Sequence, residues 1–112
     1  MSKLWKRLSS EDFKRIFNNG IYISGNYVNV ILELSNNENL VGFTVKKGKR
    51  NIVVKNRIRR RVKEAFIKIQ DFLPSNIKIA LIANPESINV NLSDISAEII
   101  RLVNKLKVRL NY

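Results

Sequence analysis

The sequence contains no cysteine and no histidine. Without cysteine, neither disulfides nor thiolate-bound metals can hold a fold together, a composition that suits a reducing compartment such as the cytoplasm. Without histidine, the commonest general base and metal ligand are missing, and with them every histidine-dependent triad. Apolar runs such as Ile79-Ala80-Leu81-Ile82-Ala83 fall far short of the roughly 20 residues that cross a bilayer as a helix. Met1 to Arg7 is basic but lacks the apolar core of a signal peptide, and Glu11-Asp12 follows where an organelle presequence would avoid acid. With 4 glycines and 2 prolines, no linker, repeat or low-complexity tract marks a boundary. A chain of 112 residues at 45% hydrophobic composition is therefore expected to form a single domain, 1–112, around one core.

Acid is scarce as well. Asp and Glu number 9 against 21 Lys and Arg, a net charge of +12. A self-sufficient nuclease or hydrolase needs a nucleophile, a base or a carboxylate cluster for metals. The acids here are scattered, and Glu11-Asp12 reads as the favourable charge at a helix N-terminus. No catalytic residue and no metal ligand is expected in this chain.

The positive charge is concentrated rather than spread. Residues before Lys46 carry five bases and four acids, and residues after Lys63 carry six and five. The window from Lys46 to Lys63 holds ten Lys and Arg and no acid. Such a block in an otherwise balanced chain is the footprint of a polyanion partner; a merely solvated face is the bland alternative.

Elements follow from periodicity. Ser9 reads as an N-cap with Asp12 three residues on, and Leu8 and Phe13 occupy hydrophobic-staple positions. Phe13, Ile16 and Phe17 share a helical face that ends at Asn18-Asn19-Gly20. An extended lead-in from Ile21 runs into a strand from about Tyr27 to Leu34, and a polar turn at residues 35–39 precedes a second strand, about Leu40 to Lys46. Asn51 can cap a helix from about Ile52 to Leu73. Its apolar stripe is Ile58, Val62, Ala65, Phe66, Ile69 and Phe72 or Leu73, with Asn56, Arg57, Arg60 and Lys63 opposite and Arg59 and Arg61 flanking. Ile67 falls among the outward residues. A buried-type strand (Ile77 to Ala83), a turn at Asn84-Pro85 and a helix from about Ser93 to Val108 complete the chain. The expected fold is α+β, in the order α-β-β-α-β-α, a small sheet with helices packed on it.

Basic amphipathic helices do bind anionic membranes, but in so small a domain the apolar side of 52–73 is needed against the sheet. Nucleic acid remains. Arginine pairs phosphates through a planar fork, and Arg59-Arg60-Arg61 fan around the helix, which suits folded RNA better than straight duplex DNA. Sustained heptads after residue 73, which a DNA-binding zipper would need, are missing. Phe13 and Phe17, four residues apart, form either a core pair or a stacking platform for unpaired bases; spacing alone favours the core.

The runs Gly42-Phe43-Thr44-Val45-Lys46-Lys47 and Asn51 to Phe66, with Lys55-Asn56-Arg57 leading into the basic helix, resemble the signature of the bacterial ribonuclease P protein component. Glu11-Asp12-Phe13 through Phe17 and Gly20 resemble that family's first helix. Lys55 stands for the more usual Arg, Lys46 and Gly48 for Ser and Lys, Arg50 for Gly, and Ile31 for a common aromatic that Tyr27 is positioned to replace. The resemblance implies a tRNA 5′-maturation endoribonuclease whose catalytic groups and Mg2+ ions belong to a large RNA subunit. It implies partnership with that RNA and with precursor tRNA, with no protein partner required. It also implies a left-handed crossover joining parallel strands through the basic helix, against the general preference. Carried over, Lys55, Asn56, Arg57, Arg59, Arg60 and Lys63 would form an RNA-docking face, and Phe13, Phe17, Thr44, Lys46 and Lys47 would line a cleft for the single-stranded 5′ leader. A ribosomal or other structured-RNA-binding protein is the alternative, separable by whether the chain co-purifies with one RNA or with ribosomal subunits.

With no histidine and scattered acids, the purified chain incubated with precursor tRNA and magnesium, but no RNA subunit, should give no accurate 5′ cleavage. Cleavage that disappears on mutating a carboxylate would overturn this division of labour.

Overall fold

The computed structural model describes residues 4–48 and 51–110. Met1 to Lys3, Lys49 and Arg50, which the sequence reading included in its basic segments, lie outside the described residues. The chain runs β1 (Lys6–Arg7), α1 (Ser10–Asn19), β2 (Ile21–Ile23), β3 (Val28–Leu34), β4 (Leu40–Val45), α2 (Ile52–Ile69), β5 (Ile77–Ala83) and α3 (Leu92–Arg109). The α+β class holds. Two strands are added to the expected order: the lead-in at Ile21 pairs as β2, and Lys6–Arg7 pairs as β1.

The five strands form one mixed sheet in the order β1-β4-β5-β3-β2. β5 lies at the centre, parallel to β4 (Gly42 beside Ala80) and antiparallel to β3 (Ile31 beside Ala80). Such a strand is covered on both faces, so from Ile79 to Ala83 it is a continuous apolar run rather than an alternation. On one face Val28, Val30, Leu32, Ile77, Ile79 and Leu81 pack with Ile58, Val62, Phe66, Ile95, Ile99 and Leu102 from α2 and α3. On the other, Ile31, Leu40, Ala80 and Ile82 meet Leu8 and Ile16, with Phe13 packed at the edge. α2 and α3 thus cover one face and α1 covers part of the other.

Local chemistry explains the boundaries. The Asp12 N–H donates to Ser9 Oγ at 3.1 Å, and the Val54 N–H to Asn51 Oδ1 at 2.9 Å, so both expected caps form. α1 stops at Gly20 but not through the left-handed turn that a terminal glycine suggests: its φ is −80°. The glycine is needed for space, because a Cβ there would lie 2.4 Å from Ile31 Cγ2. α2 is shorter than expected; a 3-10 turn at Gln70–Phe72 follows Ile69. That turn resolves the choice at the helix end, with Leu73 at 2% exposure and Phe72 at 77%.

Tertiary contacts fix what periodicity does not. Ser96 Oγ donates to the Ala65 carbonyl at 2.8 Å, joining α3 to α2. Arg61 donates to the carbonyls of Ser87 and Val90, so this arginine anchors α2 to the turn after β5. Glu98, only 4% exposed, accepts from the backbone N–H groups of Asn26 (2.9 Å), Tyr27 (2.6 Å) and Val28 (2.8 Å). Its second oxygen also meets Arg101 at 3.4 Å. The carboxylate takes up donors that β2 and β3 leave unpaired at their connection, a burial tolerable only because it is multiply hydrogen-bonded.

Glu98→Gln leaves one acceptor oxygen for three donors and turns an amide N–H toward another N–H. It should lower stability in urea unfolding by about 1–3 kcal/mol, whereas Arg101→Ala, removing a half-exposed partner, should cost under about 1 kcal/mol. Equal losses would mean that the ion pair, not the backbone donors, gives Glu98 its role.

Candidate nucleic-acid interface

Two surfaces carry the residues singled out in the sequence, and they lie on opposite sides of the sheet. The first is the outward side of α2. At about 100° per residue, Asn56, Arg57, Arg60 and Lys63 fall on one stripe facing away from the core. Arg57, Arg59, Arg60 and Lys63 are exposed and Asn56 is half-buried. Arg59 lies off the stripe and donates to Asn56 Oδ1, which fixes the angle of its guanidinium. Lys55 is half-buried and turns toward the sheet side, so it joins the group only at the helix start. Ile67, 51% exposed, and Val53, 67% exposed, sit among these polar residues and leave the stripe partly apolar.

Electrostatics reinforce the stripe. The first turn of α2 contains no acid, so the partial positive charge of its free N–H groups is not offset and adds to that of Lys46 and Lys47. Glu64 is the one acid in this helix.

The second surface is the sheet face on which α1 lies. Paired residues of neighbouring strands share a face, so strand register defines rows across it. Leu40, Lys78 and Glu33 form one row; Gly42, Ala80, Ile31 and Tyr22 the next; Thr44, Ile82 and Asn29 the third. α1 lies over the middle row. Asp12 reaches the first row, 3.6 Å from Lys78, which is also 3.9 Å from Glu33. Phe13 sits over Gly42 in the middle row, and Phe17 lies about 40° further round α1, on the side away from Asp12.

That third row is the floor of a groove. Thr44 is half-buried there, Lys46 extends its line through a 2.9 Å bond from its N–H to the Ala83 carbonyl, and Lys47 is exposed just beyond the ladder. Asn84 closes the end near β2, its amide donating to the carbonyls of Gly25 (3.1 Å) and Asn26 (3.3 Å).

The two phenylalanines divide the roles that spacing left open. Their rings are stacked, with centroids 5.6 Å apart and planes at 23°. Phe13 is half-buried against Gly42, where a Cβ would lie 2.3 Å from its Cε2. Phe17 is 51% exposed. Phe13 is thus a core-edge ring that supports Phe17, and Phe17 presents a free face. Tyr27 does not take the place of an aromatic at position 31. It packs against the larger core on the opposite face, while Ile31 is buried under α1 at 3% exposure. The aromatic that sequence reasoning missed is Tyr22, opposite Ile31 and 51% exposed. The alternation Ile21-Tyr22-Ile23 was the available signal.

Among the described residues no group of three or more acids could hold a metal ion, and no helix is long and apolar enough to cross a membrane. A depression of about 580 Å³ lined by Arg15, Asn19, Glu33, Lys78 and Leu110 lies on the far side of α1. Its mixed charges, with Lys78 tied to Glu33, suit a polyanion less than the basic surfaces do.

The fold agrees with comparisons to known proteins. The ribonuclease P family model matches residues 1–107. The ribonuclease P protein component of Acidothermus cellulolyticus is 30% identical over 100 residues, covering 87% of this chain and 83% of its own. That of Alkaliphilus metalliredigens is 26% identical over 104 residues, covering 92% and 94%. Among solved structures, the RNase P protein from Thermotoga maritima superposes with a TM-score of 0.76 at 22% identity, covering 89% of this chain and 96% of its own. The Staphylococcus aureus RNase P protein gives 0.69 at 24%, covering 91% and 95%.

Because Phe13 is wedged over Gly42 and Phe17 faces solvent, their alanine variants should differ in thermal and urea unfolding. Phe13→Ala should cost about 2–4 kcal/mol and Phe17→Ala under about 1 kcal/mol. Comparable losses would make Phe17 a core residue and remove it from the groove.

Proposed function

The chain belongs to the ribonuclease P family, and on that premise we propose that its two surfaces hold two different RNAs. The outward stripe of α2 docks on the catalytic RNA subunit, and the groove beside α1 holds the single-stranded 5′ leader of precursor tRNA. Membership in the family replaces the ribosomal-protein alternative that the sequence left open. The observation that carries the reading is the separation of the surfaces by the sheet: a phosphate-binding stripe on one side, a ring-edged groove on the other. A protein built this way can touch both RNAs at once without one displacing the other.

Each surface does different work. Arg57 and Arg60 can grip phosphates bidentately and Lys63 adds a point charge, which positions the RNA without reading its sequence. Asn56 orients Arg59 for the same purpose. In the groove, Phe17 offers a π-face to an unpaired base, a contact that tolerates any sequence, as leaders of varied sequence require. Thr44 offers a hydroxyl on the floor, and Lys46 and Lys47 supply charge at the rim for the leader backbone. Phe13 acts through Phe17 as a positioning residue. Cleavage itself falls to the RNA subunit with its bound Mg2+, a reading supported by the lack of histidine and of clustered carboxylates among the described residues. Its contribution is to hold the substrate and offset phosphate charge.

Phosphate contacts release condensed counterions, so affinity for the RNA subunit should fall steeply with salt. The triple variant Arg57→Ala, Arg60→Ala, Lys63→Ala removes exposed side chains only and should melt near the unsubstituted protein. It should need markedly more protein to activate the RNA at moderate salt, with a salt slope shallower by up to about one unit per lost contact. Lowering the salt should restore much of the activity. An unchanged slope and affinity would mean that this stripe is merely solvated.

A further inference from the structure

Tyr22 is an exposed aromatic ring on an edge strand of the sheet. β2 alternates cleanly: Ile21 and Ile23 turn to the larger core and pack there, while Tyr22 turns to the α1 face. It stands directly across from Ile31, in the same row as Ala80 and Gly42. Gly20 is the single residue between α1 and β2, so Tyr22 lies at the end of α1 that carries Phe17. Both rings are 51% exposed. Phe13 over Gly42, Phe17 near the end of α1 and Tyr22 on β2 thus all lie on one face of the sheet.

Charge on this face suits a nucleic-acid strand. Lys14 is exposed and falls about 60° round the helix from Phe17, on the solvent side. The acids Asp12 and Glu33 are both tied to Lys78 across the other side of α1. Both carboxylates are thus engaged on the side of α1 away from Phe17, and Lys14 adds positive charge to the helix's solvent side.

We propose that Tyr22 is a base-stacking position for an unpaired nucleotide of the leader, adjacent to the nucleotide held by Phe17. The inference rests on the leader-groove reading given above and adds a nucleotide to it. The phenol ring supplies the stacking face, so the aromatic ring rather than the hydroxyl carries the contact. An exposed tyrosine that merely favours an edge strand is the competing explanation.

The test uses holoenzyme reconstituted with the cognate RNA subunit and precursor tRNAs carrying a single abasic site at successive leader positions. Tyr22→Ala should weaken precursor binding about fivefold to a hundredfold and leave mature tRNA binding unchanged. Tyr22→Thr, which keeps strand preference should the alanine variant fold poorly, should do the same, and Tyr22→Phe should retain affinity. The loss should vanish at one abasic position, next to the position at which Phe17→Ala becomes silent. If Phe17→Ala weakens binding while the Tyr22 variants bind normally, or lose affinity equally on every abasic substrate, the inference is overturned and the groove reading stands. If neither ring matters, the groove reading itself fails and this inference falls with it.

Discussion

The contact between Phe13 and the bare backbone of Gly42 lets α1 lie close on the sheet, and the open groove follows from that closeness. Ten residues of helix span about 15 Å, enough to cross the middle row of strands but not to cover the face. Asp12 draws one side of α1 down to Lys78, while Gly20 admits Ile31 beneath its end. The helix is thereby pinned toward the Leu40–Lys78–Glu33 row, and in the third row Thr44 stays half-buried while Ile82 and Asn29 are buried. A side chain at position 42 would lift the helix and remove the support under the stacked rings. The same small-residue footprint thus serves packing and the groove together.

On the opposite face, α3 allows the rest of the molecule to be so basic. Its buried Glu98 spends its charge on three backbone donors rather than on the arginines of α2. Arg61 is the arginine of the Arg59-Arg60-Arg61 run that the fold takes for itself, in bonds to Ser87 and Val90. The others remain free of carboxylates in the described contacts, which is what a phosphate-binding stripe needs. Arg59 bonding to Asn56 is no exception, because a neutral amide orients the guanidinium without neutralising it.

Much of this was legible in the sequence because it depends on local spacing. The caps at Ser9 and Asn51, the stripe Ile58-Val62-Ala65-Phe66-Ile69, the boundaries of β5 and the outward position of Arg57, Arg60 and Lys63 all follow from residues within a few positions of one another. The acid-free window and the missing histidine bounded the partner and the chemistry without any fold. β1 and β2 were not legible: two and three residues carry too little pattern, and they exist because a neighbouring strand offers backbone partners.

Tertiary structure alone decided the rest. Phe13 and Phe17 have the same residue type and share a helical face, yet one is wedged over Gly42 and the other is half in solvent. That difference depends on a strand more than twenty residues away. Tyr22 and Tyr27 look equally suited to line a groove until register puts Tyr22 on the α1 face and packing draws Tyr27, just before β3, against the larger core. Glu98 is an ordinary helix acid until the β2–β3 connection brings three N–H groups to it. Composition and periodicity determined that positive charge is concentrated on one helix and which of its residues face outward. Which ring faces solvent was set by long-range packing, because exposure is a property of the neighbours and not of the residue.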